Sequence, residues 1–375
     1  MQLSIADHTD AIQITSQVYD LWSAGLKKAD YRQLFWSTYQ QSWSKRNTCR
    51  MVHRVENEVT FSCKTARLTL FKKNFYYQVL GLGAIFTAPT WRKQGLAGSL
   101  IESVINQAEE QNLDGVLLFS AIDKDFYTSL GFTSLGSLDF EICPQNYSHT
   151  NSFSAGKIIS QYGNISIERR NAEVLFQKDR WELSNGQNIK FHFSSFDPWF
   201  SENELCEILR CHNRWIARQP YGIVRNRHYF SFQLARFLYF ATYSTTSQTH
   251  WFLTIVQDEQ KGIIGYAITE CSGTNMRILE LIGDNLARAY LWQGLIEQAK
   301  NMNLTTICGF ESIVRDFIPS CRLDHSLFSL KPTIKPAHIQ CYDRLWSQPM
   351  FLAINPDLTD LFASNPCPLL EFDYI

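Results

Sequence analysis

The order of apolar and polar positions changes period several times along the chain. "DAIQITSQVYDLW" (10–22) and "ADYRQLFWSTYQQSW" (29–43) have mixed helical spacing and few breakers. The next three stretches, "TCRMVHRVEN", "VTFSCKTARLTLFK" and "NFYYQVLGLGAIFTA", alternate and are rich in β-branched and aromatic residues. They predict three successive strands, an antiparallel meander. The third ends at Ala88, because Pro89 pushes its predecessor to extended geometry and brings no ladder donor.

From Leu96 the period is helical. Leu96, Leu100, Ile101, Val104, Ile105 and Ala108 fall on one stripe. "DGVLLFSA" then predicts a short buried strand, "KDFYTSLG" a short helix closed by Gly131, and "FTSLGSLDFEI" one more strand. Together these make a mixed α/β unit over residues 1–145. The Ser-, Asn- and Gly-rich stretch "PQNYSHTNSFSAGKIIS" (144–160) is the expected linker.

Beyond the linker the same order recurs. Helical "ENELCEILRCHNRW" and "RHYFSFQLARFLYF" precede strands "HWFLTIVQD", "GIIGYAITE" and "MRILELI", then helix "NLARAYLWQGLIEQAKNMN" and strand "TTICGF". The recurrence reaches single residues: Leu96 and Ala97 meet Leu286 and Ala287, and Asp125, Phe126 and Ser129 meet Asp316, Phe317 and Ser320. The pattern predicts a duplicated fold, with a second unit at 161–350 and a tail at 351–375. The tail "PLLEFDYI" is dense in apolar residues for a chain end, and is expected to pack between the two units.

Composition narrows the function. Lys and Arg number 35 against 36 for Asp and Glu, so no global field draws the chain to nucleic acid or a membrane surface. No apolar run reaches the length of a bilayer span, and "MQLSIADHTD" lacks the pattern of a secretory signal. The ten cysteines form no CxxC pair and the histidines no ligand spacing, so the expectation is a cytoplasmic protein with reduced thiols and no metal site. Arg214, Arg218, Arg225 and Arg227 are expected on a solvated face.

The stretch "APTWRKQGLAGSL" (88–100) carries the candidate chemistry. A turn leading into a helix presents unpaired backbone N–H groups and the positive end of the helix dipole, which favour an anion. Gly95 permits angles barred to other residues, Ala97 and Gly98 keep side chains out of the way, and Arg92 and Lys93 add cations at the rim. Such a loop suits a diphosphate. It has neither the GxxxxGK[ST] pattern of nucleotide hydrolases nor the spaced glycines of a dinucleotide fold.

These residues bring a family into view. "PTWRKQGLA" resembles motif A of the GNAT acyl-CoA N-acyltransferases, with Arg92, Gly95 and Ala97 at its defining positions, and "DFYTSLGF" resembles the family's Tyr-x-x-x-Gly-Phe motif through Tyr127, Gly131 and Phe132. The resemblance implies acetyl-CoA as co-substrate and an amine as acceptor. It implies that the backbone of Ile85, Phe86 and Thr87 holds the pantetheine arm. The pyrophosphate would lie on the residues from Arg92 through Lys93, Gln94, Gly95, Leu96 and Ala97 to Gly98, and Tyr127 would act as general acid. Glu56, Glu58 and His53 are candidate bases.

In the second unit Tyr127 is answered by Ile318 and Gly131 by Arg322, and Asp284 stands where the first unit has cations. That unit is expected to be a degenerate GNAT-like domain, kept for packing, substrate shaping or assembly into a homo-oligomer. A catalytic first copy with a degenerate second is similar to the tandem-GNAT enzymes related to Eis, and "IARQPYGIVRNRHYF" and "MFLAINP" resemble segments of that group. The resemblance also implies a terminal carboxylate as base, which here would be Ile375 with Asp373 nearby. The alternative to an enzyme is an acyl-CoA-binding sensor built on the same fold.

Overall fold

A first sheet begins with β1 (Ser4–Ile5), which is followed by helices α1 (His8–Gln17), α2 (Tyr19–Trp22), α3 (Lys28–Gln40) and α4 (Ser42–Asn47). The computed structural model describes residues 2–122, 124–146, 165–171, 201–243, 249–258, 261–310, 313, 339–343, 348–363 and 367–369. The α1 start is fixed by a reciprocal capping box between Asp7 and Asp10, and the Arg54 guanidinium pairs with the Asp10 carboxylate. The predicted meander follows as β2 (Thr48–Val55), β3 (Glu58–Lys72) and β4 (Phe75–Thr87), all antiparallel. Helix α5 (Leu96–Glu110) crosses to β5 (Gly115–Ser120), which is parallel to β4. The stripe from Leu96 to Ala108 is buried as the spacing requires. Helix α6 (Lys124–Thr128) then leads to β6 (Thr133–Ser134).

Here the sequence reading needs correction. The single strand expected over 132–142 is two strands, and they belong to different sheets. After β6 the Leu135 N–H donates to the Pro349 carbonyl (2.9 Å) and the Gly136 carbonyl accepts from Cys367 (3.1 Å), which carries the backbone out of the first sheet. Strand β7 (Leu138–Ile142) then pairs in the second. Phe132, Leu135, Phe140 and Ile142 are all buried, so the apolar pattern runs through the crossing without marking it.

The second sheet takes β8 (Ile165–Asn171), and helix α7 (Glu202–Ile216) packs on it. A short β9 (Gly222–Ile223) pairs with β3 of the first sheet before helix α8 (Arg227–Tyr243). Strands β10 (Thr249–Asp258), β11 (Gly262–Ser272) and β12 (Asn275–Gly283) repeat the antiparallel meander, α9 (Asn285–Asn301) repeats α5, and β13 (Thr306–Phe310) runs parallel to β12. Strand β14 (Ile339–Asp343) pairs with β7, giving the order β14-β7-β13-β12-β11-β10-β8. The last strand, β15 (Gln348–Ala353), returns to the first sheet between β5 and β6, where the order is β1-β2-β3-β4-β5-β15-β6.

Each sheet therefore borrows a strand from the other half of the chain. β15 lies so close to β5 that a Cβ on Gly115 would fall 2.8 Å from the Leu352 carbonyl oxygen and 2.3 Å from the Phe351 ring. Gly115→Ala should lower unfolding free energy by about 1–3 kcal/mol, the usual cost of overpacking, read as a fall in urea midpoint. An unchanged midpoint would mean that β15 does not sit there.

Of the tail, Cys367 and Leu369 are buried in the cluster that holds Phe351 and Leu117, whereas Asp373 and Ile375 lie outside the described residues. So do residues 147–164, which include most of the expected linker. Among the described residues no helix is long and apolar enough to cross a membrane.

Candidate active site

β4 and β5 stay paired only from Val79–Leu82 against Gly115–Leu118, and β4 then runs on to Thr87 without β5 beside it. A bulge helps separate them. Between the partners of Ser62 and Lys64, β4 carries one residue more than β3, and Ala84 there takes φ +46°, a left-handed value unusual for alanine. Arg50 secures the bulge by donating from Nη1 to the Ala84 carbonyl (2.9 Å). The segment Ile85–Thr87 thus presents a backbone edge that β5 does not cover.

Past β4 the chain makes a 3-10 turn at Pro89–Trp91, and Lys93 (φ +60°) and Gly95 (φ +77°) both take left-handed angles. Gly95 caps α5 with no side-chain hydrogen bond, and the first helical bond runs from the Ser99 N–H to the Gly95 carbonyl (3.1 Å). The amides of Leu96, Ala97 and Gly98 precede that first bond, at the positive end of the helix. Residues 92–95 are exposed, and a Cβ on Gly95 would meet nothing within 4 Å. The glycine is there for its angle, and the space before it is open.

Two of the loop's polar side chains brace it. The Arg92 guanidinium lies over the Phe86 ring (5.7 Å) and donates from Nε to the Thr87 carbonyl (3.0 Å). Gln94 donates to the Thr90 carbonyl (2.8 Å).

Tyr127 on α6 is buried edge-on to Phe126 and Phe132, with centroids 5.0 and 6.0 Å away. Its carbonyl accepts from the Leu130 and Phe132 N–H groups, a turn that needs Gly131 at φ +89°. The ring belongs to the cluster of Leu82, Leu96 and Leu118, against which Ile85 and Ala97 pack. Tyr127, Ile85 and the α5 start therefore converge on one face of the sheet, whereas Phe86 packs on the other with α1 and α3.

The candidate bases are less well served. Glu56 and Glu58 are exposed at the β2–β3 turn. His53 shares a 2.8 Å hydrogen bond between Nδ1 and the Thr60 hydroxyl, and burial pushes its pKa below the ordinary histidine value. It is aligned with Thr87 through Phe61 of the intervening strand.

The second copy keeps the bulge but caps its helix start. β12 carries one extra residue against β11 between the partners of Ile268 and Thr269. The eight-residue connection of the first copy shrinks to Asp284, whose carboxylate accepts from the Ala287 N–H (2.9 Å) and so occupies the helix start itself. A Cβ on Gly265 would meet Ala287 Cβ at 2.7 Å, so α9 lies tight on the sheet. Ile318 and Arg322, expected to replace the tyrosine motif, lie outside the described residues.

Beside this bulge Glu280 pairs with Arg225, both side chains fully buried. This corrects the expectation of a solvated arginine face: Arg214, Arg218 and Arg227 are exposed, but Arg225 is drawn inside by the carboxylate. Burial, with Glu280 close by, pushes the Tyr266 hydroxyl well above its ordinary pKa. Glu280→Leu should cost about 3–5 kcal/mol, because it leaves a buried guanidinium uncompensated. Thermal unfolding reads the loss, and a melting point equal to wild type would contradict the burial of the pair.

A family model described as the Acetyltransferase (GNAT) family matches residues 15–132. That segment spans the meander, the splayed strand, the glycine loop and Tyr127. The N-terminal half carries a GNAT domain. No curated protein sequence matches the chain. Solved structures similar to it are a probable N-acyltransferase of Enterococcus faecalis (TM-score 0.62, 10% identity, covering 94% of this chain and 72% of that one). A GCN5-related N-acetyltransferase from Anabaena variabilis is also similar (0.59, 12%, 93% and 72%). So is Eis1 from Mycobacterium abscessus (0.56, 10%, 95% and 74%). At these identities the likeness is one of fold. Because the alignments cover nearly the whole chain, it extends past the GNAT domain into the second sheet.

The sequence reading missed the Ala84 bulge and the buried Arg50 and Lys64 beside it. The signal was present: "TCRMV" and "SCKTA" each place a cation among small or apolar neighbours within a strand.

Proposed function

We propose that the chain is an acetyl-CoA-dependent N-acetyltransferase with a single acyl-CoA site, on its GNAT domain. The observation that carries this reading is the uncovered edge of Ile85–Thr87, followed through an exposed loop by a glycine-started helix with no side-chain cap. The edge offers amide and carbonyl groups to the pantetheine arm, as a neighbouring strand would. The amides from Lys93 to Gly98 suit the pyrophosphate, with Arg92 holding the loop in shape. The second copy offers no equivalent, since its helix start is capped by Asp284.

In the proposed reaction a neutral amine attacks the thioester carbonyl, a C–N bond forms, and the C–S bond breaks. Tyr127 donates its proton to the departing thiolate, and the proton shed by the acylated nitrogen returns the phenol to its neutral form by way of solvent. A phenol near pKa 10 and a thiol near 8.5 lie close enough for the site to match them, and the hydrogen bond alone stabilises the leaving group. The test is a screen of amines for thiol release from acetyl-CoA with mass detection of the product. Amine-dependent release with an acetylated product supports the proposal. Acetyl-CoA binding without turnover of any amine would make the domain a binding module instead.

A further inference from the structure

The β2–β3 ladder sets Arg50 directly opposite Lys64, so both side chains leave the same face of the sheet. Lys64 is in turn opposite Gly83, and Arg50 grips the Ala84 carbonyl, so the two cations stand beside the β4 bulge. They are 7% and 6% exposed. Helices α3 and α8 cover them with aromatic rings: the Arg50 guanidinium lies 5.2 Å from the Phe35 centroid, and the Lys64 ammonium 5.1 Å from that of Phe232. Trp43, Tyr229, Phe232 and Arg236 surround Lys64.

Such a pair is costly. Like charges directly opposite in a ladder repel, and a buried charge without a counter-charge loses its hydration for little return. Among the described residues neither side chain has a carboxylate within 4.0 Å, and Arg50 Nε is buried with no partner. Burial, with Arg236 and Arg50 near, pushes the Lys64 ammonium well below its ordinary pKa. The ring faces offset part of this cost. Among the described residues the site is one anion short.

We infer that Arg50 and Lys64 receive a carboxylate of the substrate, carried by the amine acceptor. The acceptor would then be an amino acid or a peptide with a free carboxylate, because a polyamine or aminoglycoside would add positive charge to a cationic pocket. The assignment of the carboxylate to the acceptor rests on the proposed acetyl transfer; the anion site itself does not.

Binding of product analogues tests this without turnover. In the presence of CoA, N-acetylglycine and N-methylacetamide share the acetamide and differ in the carboxylate, while N-methylsuccinamate carries its carboxylate on the acyl side. Calorimetry should find N-acetylglycine about tenfold or more tighter than N-methylacetamide, the size of one charged hydrogen bond. Lys64→Met should abolish that difference and, by removing a buried charge that has no carboxylate beside it among the described residues, raise the melting temperature of the ligand-free protein. Preference for N-methylsuccinamate alone would overturn the assignment to the acceptor. Equal binding of all three to the wild-type protein would overturn the anion site, whether or not the variant folds. Failure of every amine to be acetylated, with the carboxylate preference intact, would instead count against the proposed transferase activity.

Discussion

Tyr127→Phe should lower kcat by about 10²–10⁴ while leaving acetyl-CoA affinity nearly unchanged, the range expected when a general acid is lost. The substitution removes one hydroxyl and keeps the ring. The edge contacts with Phe126 and Phe132 and the packing in the α5–β5 cluster are made by the ring, so the fold should hold. In the proposed reaction the hydroxyl acts as charge develops on the departing sulfur. Its loss should therefore fall on kcat and kcat/KM together, with KM little moved. Turnover equal to wild type would make Tyr127 a packing residue and leave the leaving group without a protein donor.

Gly95→Glu should abolish acetyl-CoA binding in a protein that still folds. A side chain at φ +77° costs about 1–2 kcal/mol of backbone strain, which a chain of this size tolerates. A Cβ there meets nothing within 4 Å, so the new side chain enters the open space before α5. There it would set a carboxylate where the helix end favours an anion, and a diphosphate could not share the place. Gly95→Ala separates the two effects: it carries the strain without the charge, and should weaken binding far less. Binding by Gly95→Glu equal to wild type would put the phosphates elsewhere.

Much of the fold was legible in the sequence, for physical reasons that differ by element. The α5 stripe and the β2–β4 meander have strong periodicity because one face of each is buried, and the glycine loop shows in composition because left-handed angles exclude most residues. The exchange of β7 and β15 between sheets was not legible. Phe140 and Ile142 are as apolar as a strand of the first sheet would be, and alternation records burial without saying in which sheet. Arg225 was misread for a related reason: its partner Glu280 lies 55 residues on, inside a strand, and only the fold brings them together. The Ala84 bulge depends on register between β3 and β4, which no local pattern encodes. Roles for the loop and for Tyr127 came from motif resemblance, and their convergence on one face through Ile85 and Ala97 came from the structure.

The central claim is that one copy of a duplicated fold keeps the acyl-CoA site and the other has closed it. Calorimetric titration of the intact chain with acetyl-CoA tests it most directly. One acetyl-CoA should bind per chain, since the edge at Ile85–Thr87 opens onto an uncapped helix while Asp284 caps the helix of the second copy. Two equivalents per chain would contradict the account, and so would a single equivalent that survives Gly95→Glu unchanged.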